Sequence, residues 1–414
     1  MSFEVETLPN GLEIVAECNP HALSAAVGFF VRTGARDEQA ELAGVSHFLE
    51  HMAFKGSDRR TADDVNREFD EIGAKYNAYT TEEHTVYHAA VLPEYLPTTI
   101  DLLADLLRPS LRIDDFEMEK KVILEEIGMY ADSPMWLAYE RAMRVHFADH
   151  PLGNSVLGSE ESVGALSADA MRAYHRARYS PSNLFVAAAG KIEWPRLLDL
   201  VRNKCAAWER VPTARTVQRT FSSGTNELMV RESFVQEWMF LLAAAPPADS
   251  KMRMAAEILA NVIGDDSGSR FHWALVETGK VDSADFNYHE YEGVGSFIAS
   301  ISCRPEATEE DLATVRQILT TISRDGITPE ELQQAKNKIG SRIVLAAERP
   351  QNRLSSLGYN WSYRKEYRSM VDDLKDLNAV TPKDVRELLD AYPLTKQTTL
   401  SLGPLGSLRN LNDY

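Results

Sequence analysis

Apolar positions change their period several times along the chain, and each change marks a different kind of element. Short apolar runs come first. Residues 13–16 and Ala25-Ala26-Val27-Gly28-Phe29-Phe30-Val31 read as strands, following a turn at Leu8-Pro9-Asn10-Gly11-Leu12. From 44 to 54 the spacing is helical, and it is helical again in 62–73, 95–107, 114–131 and 136–148. Between these, the Thr-, Tyr- and Val-rich stretch 77–92 predicts strand, turn and strand. Helices over 167–178 and 194–207 flank a strand at 183–189 that ends on Gly190.

Periodicity then disappears across 208–226, where Pro, Thr, Arg, Ser and Gly accumulate as they do in linkers. A second series follows: strands near 227–232 and 236–245, a helix over 250–263, a strand over 295–302, helices over 308–323, 329–347 and 382–391, and a strand over 398–403. The expected fold is α+β, with two similar-looking α/β sandwich domains, each a mixed or antiparallel sheet with helices packed on it. The N-terminal domain is expected over 1–208, a linker over 209–226 and a C-terminal domain over 227–414. Their similarity suggests a diverged duplication.

Composition narrows the function. Of 414 residues, 44% are hydrophobic, enough to build a core for each domain. Lys and Arg number 44 against 62 Asp and Glu, a net charge of −18 that repels phosphate backbones and anionic headgroups, so neither nucleic acid nor membrane is an expected partner. No apolar run approaches the ~18–20 residues of a membrane span, and the opening Met1-Ser2-Phe3-Glu4-Val5-Glu6 has no basic or apolar segment of a secretory signal. A cytoplasmic location is expected. Cys18, Cys205 and Cys303 are too scattered for a disulfide framework or a cysteine zinc knuckle, and are read as buried thiols.

The chemistry concentrates in His47-Phe48-Leu49-Glu50-His51. On a helix, residues four apart project from one face, so both imidazoles can reach a single metal. Val45, Phe48, Leu49, Met52 and Ala53 fall in one arc, and His47, Glu50 and His51 in the opposite one. The motif therefore turns away from its helix's own core stripe. Two neutral imidazoles and a carboxylate suit zinc, leaving a fourth position for water, and Glu50 is placed to take that water's proton. The plainer alternative is an amphipathic helix with two surface histidines.

The helix over 114–131 offers the carboxylate. Phe116, Ile123, Ile127 and Tyr130 form its apolar stripe, and Glu119 and Glu126 share that face, whereas Glu125 points about 100° away. Burying them is costly without compensation. Glu126 as metal ligand and Glu119 as acceptor for a ligand imidazole would compensate both, as would ion pairs to Arg or Lys. His84, His88, His146 and His150 are expected in ordinary surface or core roles.

Together with Glu126, His47-x-x-Glu50-His51, an order reversed relative to thermolysin, resembles the pitrilysin, insulin-degrading enzyme and mitochondrial processing peptidase family of zinc metallopeptidases. Gly44-Val45-Ser46, Met52-Ala53-Phe54-Lys55-Gly56, Asn77-Ala78-Tyr79-Thr80, Leu157-Gly158 and Tyr179-Ser180-Pro181-Ser182-Asn183 add to it. The resemblance implies half of a clamshell, which a second half closes into a chamber around unfolded polypeptide. It implies one zinc per chain on His47, His51 and Glu126, Glu50 as general base, Glu119 supporting a ligand, and Asn77, Ala78 and Tyr79 holding a substrate strand. The implied activity is zinc-dependent hydrolysis of short or unfolded polypeptides by a homodimer, or by a heterodimer with a related zinc-free subunit. The alternative is a non-catalytic or partner-dependent subunit. One departure stands out: the Arg and Tyr that stabilise the tetrahedral intermediate in such enzymes have no counterpart in register after Ser269-Arg270-Phe271, where Leu275-Val276-Glu277-Thr278-Gly279-Lys280 follows and Tyr288 and Tyr291 are displaced.

Overall fold

The apolar run Ala25–Val31 becomes a central strand of a six-stranded sheet in the computed structural model, which describes residues 1–221, 226–409 and 411. The first sheet contains β1 (Ser2–Thr7), β2 (Glu13–Cys18), β3 (Ala25–Val31), β4 (Lys75–Thr80), β5 (Thr85–Val91) and β6 (Leu184–Gly190), in the order β1-β2-β6-β3-β5-β4. Only β2 and β6 are parallel. The second sheet contains β7 (Glu227–Val230), β8 (Glu237–Ala245), β9 (Val281–Glu290), β10 (Gly295–Cys303) and β11 (Gln397–Gly403), in the order β7-β11-β8-β10-β9. Again one pair, β7 with β11, is parallel. Raising each strand number by five converts β2-β6-β3-β5-β4 into the second sheet, with every orientation kept. The duplication suggested by the sequence is thus present in the topology.

β3 and β6 are buried along their whole length because helices cover both faces of the sheet. On one face Phe29, Val27 and Val186 pack with Phe48, Phe116, Leu103 and Leu197. On the other, Phe30, Phe185 and Val86 meet Leu354 and Leu357 of the helix Pro350–Arg364, and each such buried leucine contributes ~1.5–3 kcal/mol. That helix lies so close that a Cβ on Gly358 would overlap the Phe30 ring. In the second sheet the helix Pro134–Phe147 plays the same part, placing Ala138, Ala142, Met143 and Phe147 on Phe240, Leu242, Ile298, Leu400 and Leu402.

These two covering helices give each compact unit a segment from the other half of the sequence. The first unit comprises 1–128, 154–216 and 345–368, and the second 129–153, 217–344 and 369–414. The consecutive domains 1–208 and 227–414 expected from the sequence contain no such exchange. Of the expected linker 209–226, residues 222–225 lie outside the described residues, and the part before them is tied down. Arg215 donates to Asp37 at 2.9 and 2.6 Å and to the Glu83 carbonyl at 2.6 Å. The strands β1 and β9 and the helices Pro350–Arg364 and Met370–Ala379 are additions to the sequence reading. Cys18, Cys205 and Cys303 are buried and unpaired. Among the described residues no helix is long and apolar enough to cross a membrane.

Buried histidines make stability pH-dependent. His146 lies between Thr398 and Ser296, and His175 lies against the Leu107 carbonyl. Burial pushes each imidazole down to about 4, and Arg108 adds to the effect at His175. Above the ordinary value of ~6.5 folded and unfolded chains are both neutral there. As pH falls from ~6.5 toward 4 only the unfolded chain takes up the protons, so folding weakens, by ~2 kcal/mol per histidine at pH ~5. Urea unfolding midpoints at pH 7 and 5 should therefore diverge, and His146→Gln should narrow the gap; an unchanged gap would remove His146 from this account.

Candidate metal centre and active site

The helix Val45–Ala53 starts where Gly44 takes a left-handed conformation, φ 90°, in a place where a Cβ would collide with the Leu157 carbonyl. The Glu38 carboxylate caps it, accepting from the backbone N–H groups of Gly44 and Ser46, both at 2.7 Å. Phe48 stacks on Phe116 with ring centroids 4.7 Å apart, which fixes this helix against the helix Ile113–Ala131. With the apolar arc held in the core, His47, Glu50 and His51 face the carboxylates of the second helix, as the stripe phases predict.

Among the described residues, one group has the donors and spacing for a metal: His47, His51 and Glu126, whose ligand atoms lie within 4.8 Å of one another. Glu126 Oε2 is 3.9 Å from His47 Nε2 and 3.7 Å from His51 Nε2. Tetrahedral ligands at ~2.0–2.2 Å from zinc stand ~3.3–3.6 Å apart, so a shift of a few tenths of an ångström would bring Glu126 to ligand spacing from each imidazole. The donor set fits zinc chemically as well. His51 Nδ1 is 2.9 Å from Glu119 Oε1, a bond that places the proton on Nδ1 and leaves the Nε2 lone pair facing Glu126. Lys55 Nζ, 2.5 Å from Glu119 Oε2, balances the buried charge. The two compensations weighed for these carboxylates divide between them: Glu119 has both an imidazole and a lysine, whereas the ion-pair neighbours of Glu126 among the described residues are the two imidazoles alone.

Electrostatics follow this geometry. Burial, reinforced by His51, pushes His47 down to about 4, so it is a neutral donor near pH 7. At His51 burial works downward but is outweighed by the bond to Glu119 and the charges of Glu50, Glu126 and Glu119, and the net shift is upward. The His51 bond, working against burial and aided by Lys55, holds Glu119 below the usual carboxylate range. Glu50 is raised by burial, with Thr80 and His51 opposing and Glu126 adding. Thr80 Oγ1 donates to Glu50 Oε2 at 2.8 Å.

Asn77, Ala78 and Tyr79 lie on β4, the outer strand of the first sheet. Side chains alternate there, so Ala78 and Thr80 share one face, while Tyr79 points to the other and bonds Tyr359 through its hydroxyl at 3.0 Å. His84 bonds Ser362 at 2.5 Å, His88 lies beside the Tyr79 ring, and His150 packs by Phe147 and Phe221. None of these, nor His146, joins the metal group. Thr80, Lys55 and Glu38 were not singled out in the sequence. The first two lay inside stretches that were quoted, but only the register of β4 and the approach of the two helices reveal what they touch.

The matching positions of the second repeat do not carry the His-His-Glu set. Its helix Pro329–Ala347 buries Leu332, Ala335 and Ile339 at the offsets at which Ile113–Ala131 buries Phe116, Glu119 and Ile123. Ala335 therefore stands for Glu119, and Arg342 for Glu126. Matching the buried pairs Ile258-Leu259 and Val262-Ile263 to Phe48-Leu49 and Met52-Ala53 puts Glu257, Ala260 and Asn261 where His47, Glu50 and His51 stand. Arg342 is paired with Asp265. Of the two displaced tyrosines, Tyr288 donates its hydroxyl to the Pro246 carbonyl at 2.8 Å, and Tyr291 is buried beside Phe147.

In comparison with known proteins, the two halves match different descriptions within one peptidase family. Residues 13–160 match the family described as insulinase (peptidase family M16), and residues 165–339 match the peptidase M16 inactive domain. A Mycobacterium tuberculosis H37Rv protein named as an uncharacterized zinc protease is 32% identical, over 98% of this chain and 94% of its own. The uncharacterized zinc protease YmxG of Bacillus subtilis is 30% identical, over 92% and 93%. In fold the chain is similar to a Helicobacter pylori protease (TM-score 0.90, 19% identity, 97% and 99% covered). It is likewise similar to a Pseudomonas fluorescens structure titled as a peptidase M16 inactive domain (TM-score 0.91, 16% identity, 99% of each). With the family matched across both repeats and relatives above 30% identity along nearly the whole sequence, this chain belongs to the insulinase-type M16 peptidases.

Proposed function

We propose that this chain is a zinc-dependent endopeptidase that hydrolyses short or unfolded polypeptides. The observation that carries the reading is the convergence of His47, His51 and Glu126 beside a buried carboxylate, Glu50, that stands outside the ligand group. When bound, zinc supplies Lewis acidity that acidifies water and polarises a carbonyl. Glu50, made more basic by burial, accepts the proton of the attacking water and delivers it to the leaving amine. Glu119 keeps His51 in its ligating tautomer. The free edge of β4 at Asn77, Ala78 and Tyr79 would hold the substrate as an added strand through main-chain hydrogen bonds, which demand little of its sequence.

A second reading has its own observation. No Arg and Tyr pair follows Ser269-Arg270-Phe271 in register, the displaced Tyr288 is committed to the Pro246 carbonyl, and losing one oxyanion donor costs ~10²–10³ in rate. A partner subunit would then complete the site, in a homodimer or in a heterodimer with a zinc-free relative, around a closed chamber. The test is cleavage of a quenched unstructured peptide by the purified chain alone and mixed with a zinc-free relative. The endopeptidase reading expects chelator-sensitive cleavage by the chain alone. Cleavage only in the mixture establishes the partner-dependent subunit, and none in either rejects catalysis.

A further inference from the structure

The end of β4 lies against the His47–His51 helix. Thr80 is the strand's last residue, and strand alternation turns its side chain to the face that carries the His47–His51 helix. Its hydroxyl donates to Glu50 Oε2, and among the described residues this is the one hydrogen bond that the Glu50 carboxylate receives. A glutamate's terminal torsion is broad, so an untethered carboxylate can turn either oxygen, or neither, toward a reacting water. With Oε2 held by Thr80, Oε1 is left for proton transfer. The strand register that places Thr80 is itself secured by the cross-strand pair with Thr85, whose hydroxyl donates to the Thr33 carbonyl at 3.0 Å.

We propose that Thr80 is a positioning residue that holds the Glu50 carboxylate in its working orientation and so couples the position of the β4 edge to the catalytic base. The proposal rests on the peptidase reading of Glu50. It assigns a role to the side chain of Thr80 that is separate from any contact β4 makes with substrate through its backbone, so its loss should appear in kcat and leave KM nearly untouched.

Thr80→Val keeps the β-branched shape and strand preference while removing the hydroxyl, and Thr80→Ser keeps the hydroxyl while removing the methyl. The expected result is a ~10- to 100-fold fall in kcat for Thr80→Val, with KM within about twofold and zinc content unchanged, and activity within about threefold of the parent for Thr80→Ser. An unaltered kcat in Thr80→Val, or equal damage in both variants, overturns the proposal. A readout independent of activity is the infrared carboxylate band of Glu50 in the metal-free protein, isolated by subtracting the Glu50→Gln spectrum. It should shift in Thr80→Val and stay in place in Thr80→Ser. A band indifferent to Thr80→Val rejects the role even if the parent proves inactive, whereas an inactive parent with the expected band shift rejects the peptidase reading and leaves the tether standing.

Discussion

Glu50→Gln is expected to lower peptide hydrolysis by ~10²–10⁴-fold while the chain still carries its zinc. Glutamine has nearly the same shape and retains an oxygen that can accept the Thr80 hydrogen bond, so the surrounding packing survives. What it lacks is a basic oxygen to take a proton. Glu50 stands outside the three-residue ligand group, and metal content should therefore not change. Turnover measured with a saturating peptide, beside elemental analysis of the same sample, checks both halves. Hydrolysis persisting at the parental rate would mean that another group is the base.

Glu126→Gln is expected to do the reverse, removing the metal first and the activity as a consequence. It exchanges an anionic ligand for a neutral amide, leaving two imidazoles that alone form an incomplete site. Zinc affinity, read by competition with a chromophoric chelator, should fall by more than the ~10–100-fold typical of losing an outer partner. Glu119→Gln is the internal comparison and should lie within that smaller range, since Glu119 touches His51 from the far side of the ring. Equal affinities for the parent and Glu126→Gln would remove Glu126 from the ligand set.

The grouping of His47, His51 and Glu126 was legible because helical periodicity is a strong local rule. Four-residue spacing brings His47 and His51 to one face, and the phase of the Phe116, Ile123 and Ile127 stripe puts Glu119 and Glu126 on the same side of their helix. What joins the two helices is tertiary, and the Phe48–Phe116 stack has no local signal. Lys55 and Thr80 are readable only from that joint and from the register of β4. β9 escaped because Asp282, Ser283, Asp285 and Asn287 are poor strand formers, although Ala284, Phe286 and Tyr288 alternate between them. The exchanged segments escaped for a different reason. The apolar stripe of Pro134–Phe147 announces that this helix covers something, but either sheet could accept it until the whole chain is folded, and the helix Pro350–Arg364 itself is absent from the sequence reading.

The repeat gives physical content to the asymmetry between the halves. Both keep the buried positions that shape the frame, Phe116 and Ile123 in one and Leu332 and Ile339 in the other. Only the first has the polar group whose donors and spacing could hold a metal ion. Arg342 in place of Glu126 puts a cation where a metal ligand would stand, and its partner Asp265 uses up that charge.

The most direct test of the account is the metal content of the purified parent chain, prepared in metal-replete buffer without chelator and measured by elemental analysis. About one zinc per chain is the predicted result, because His47, His51 and Glu126 form the one metal-competent group among the described residues. A chain that holds no zinc under those conditions would contradict the account, leaving the motif helix as a packed scaffold without its chemistry.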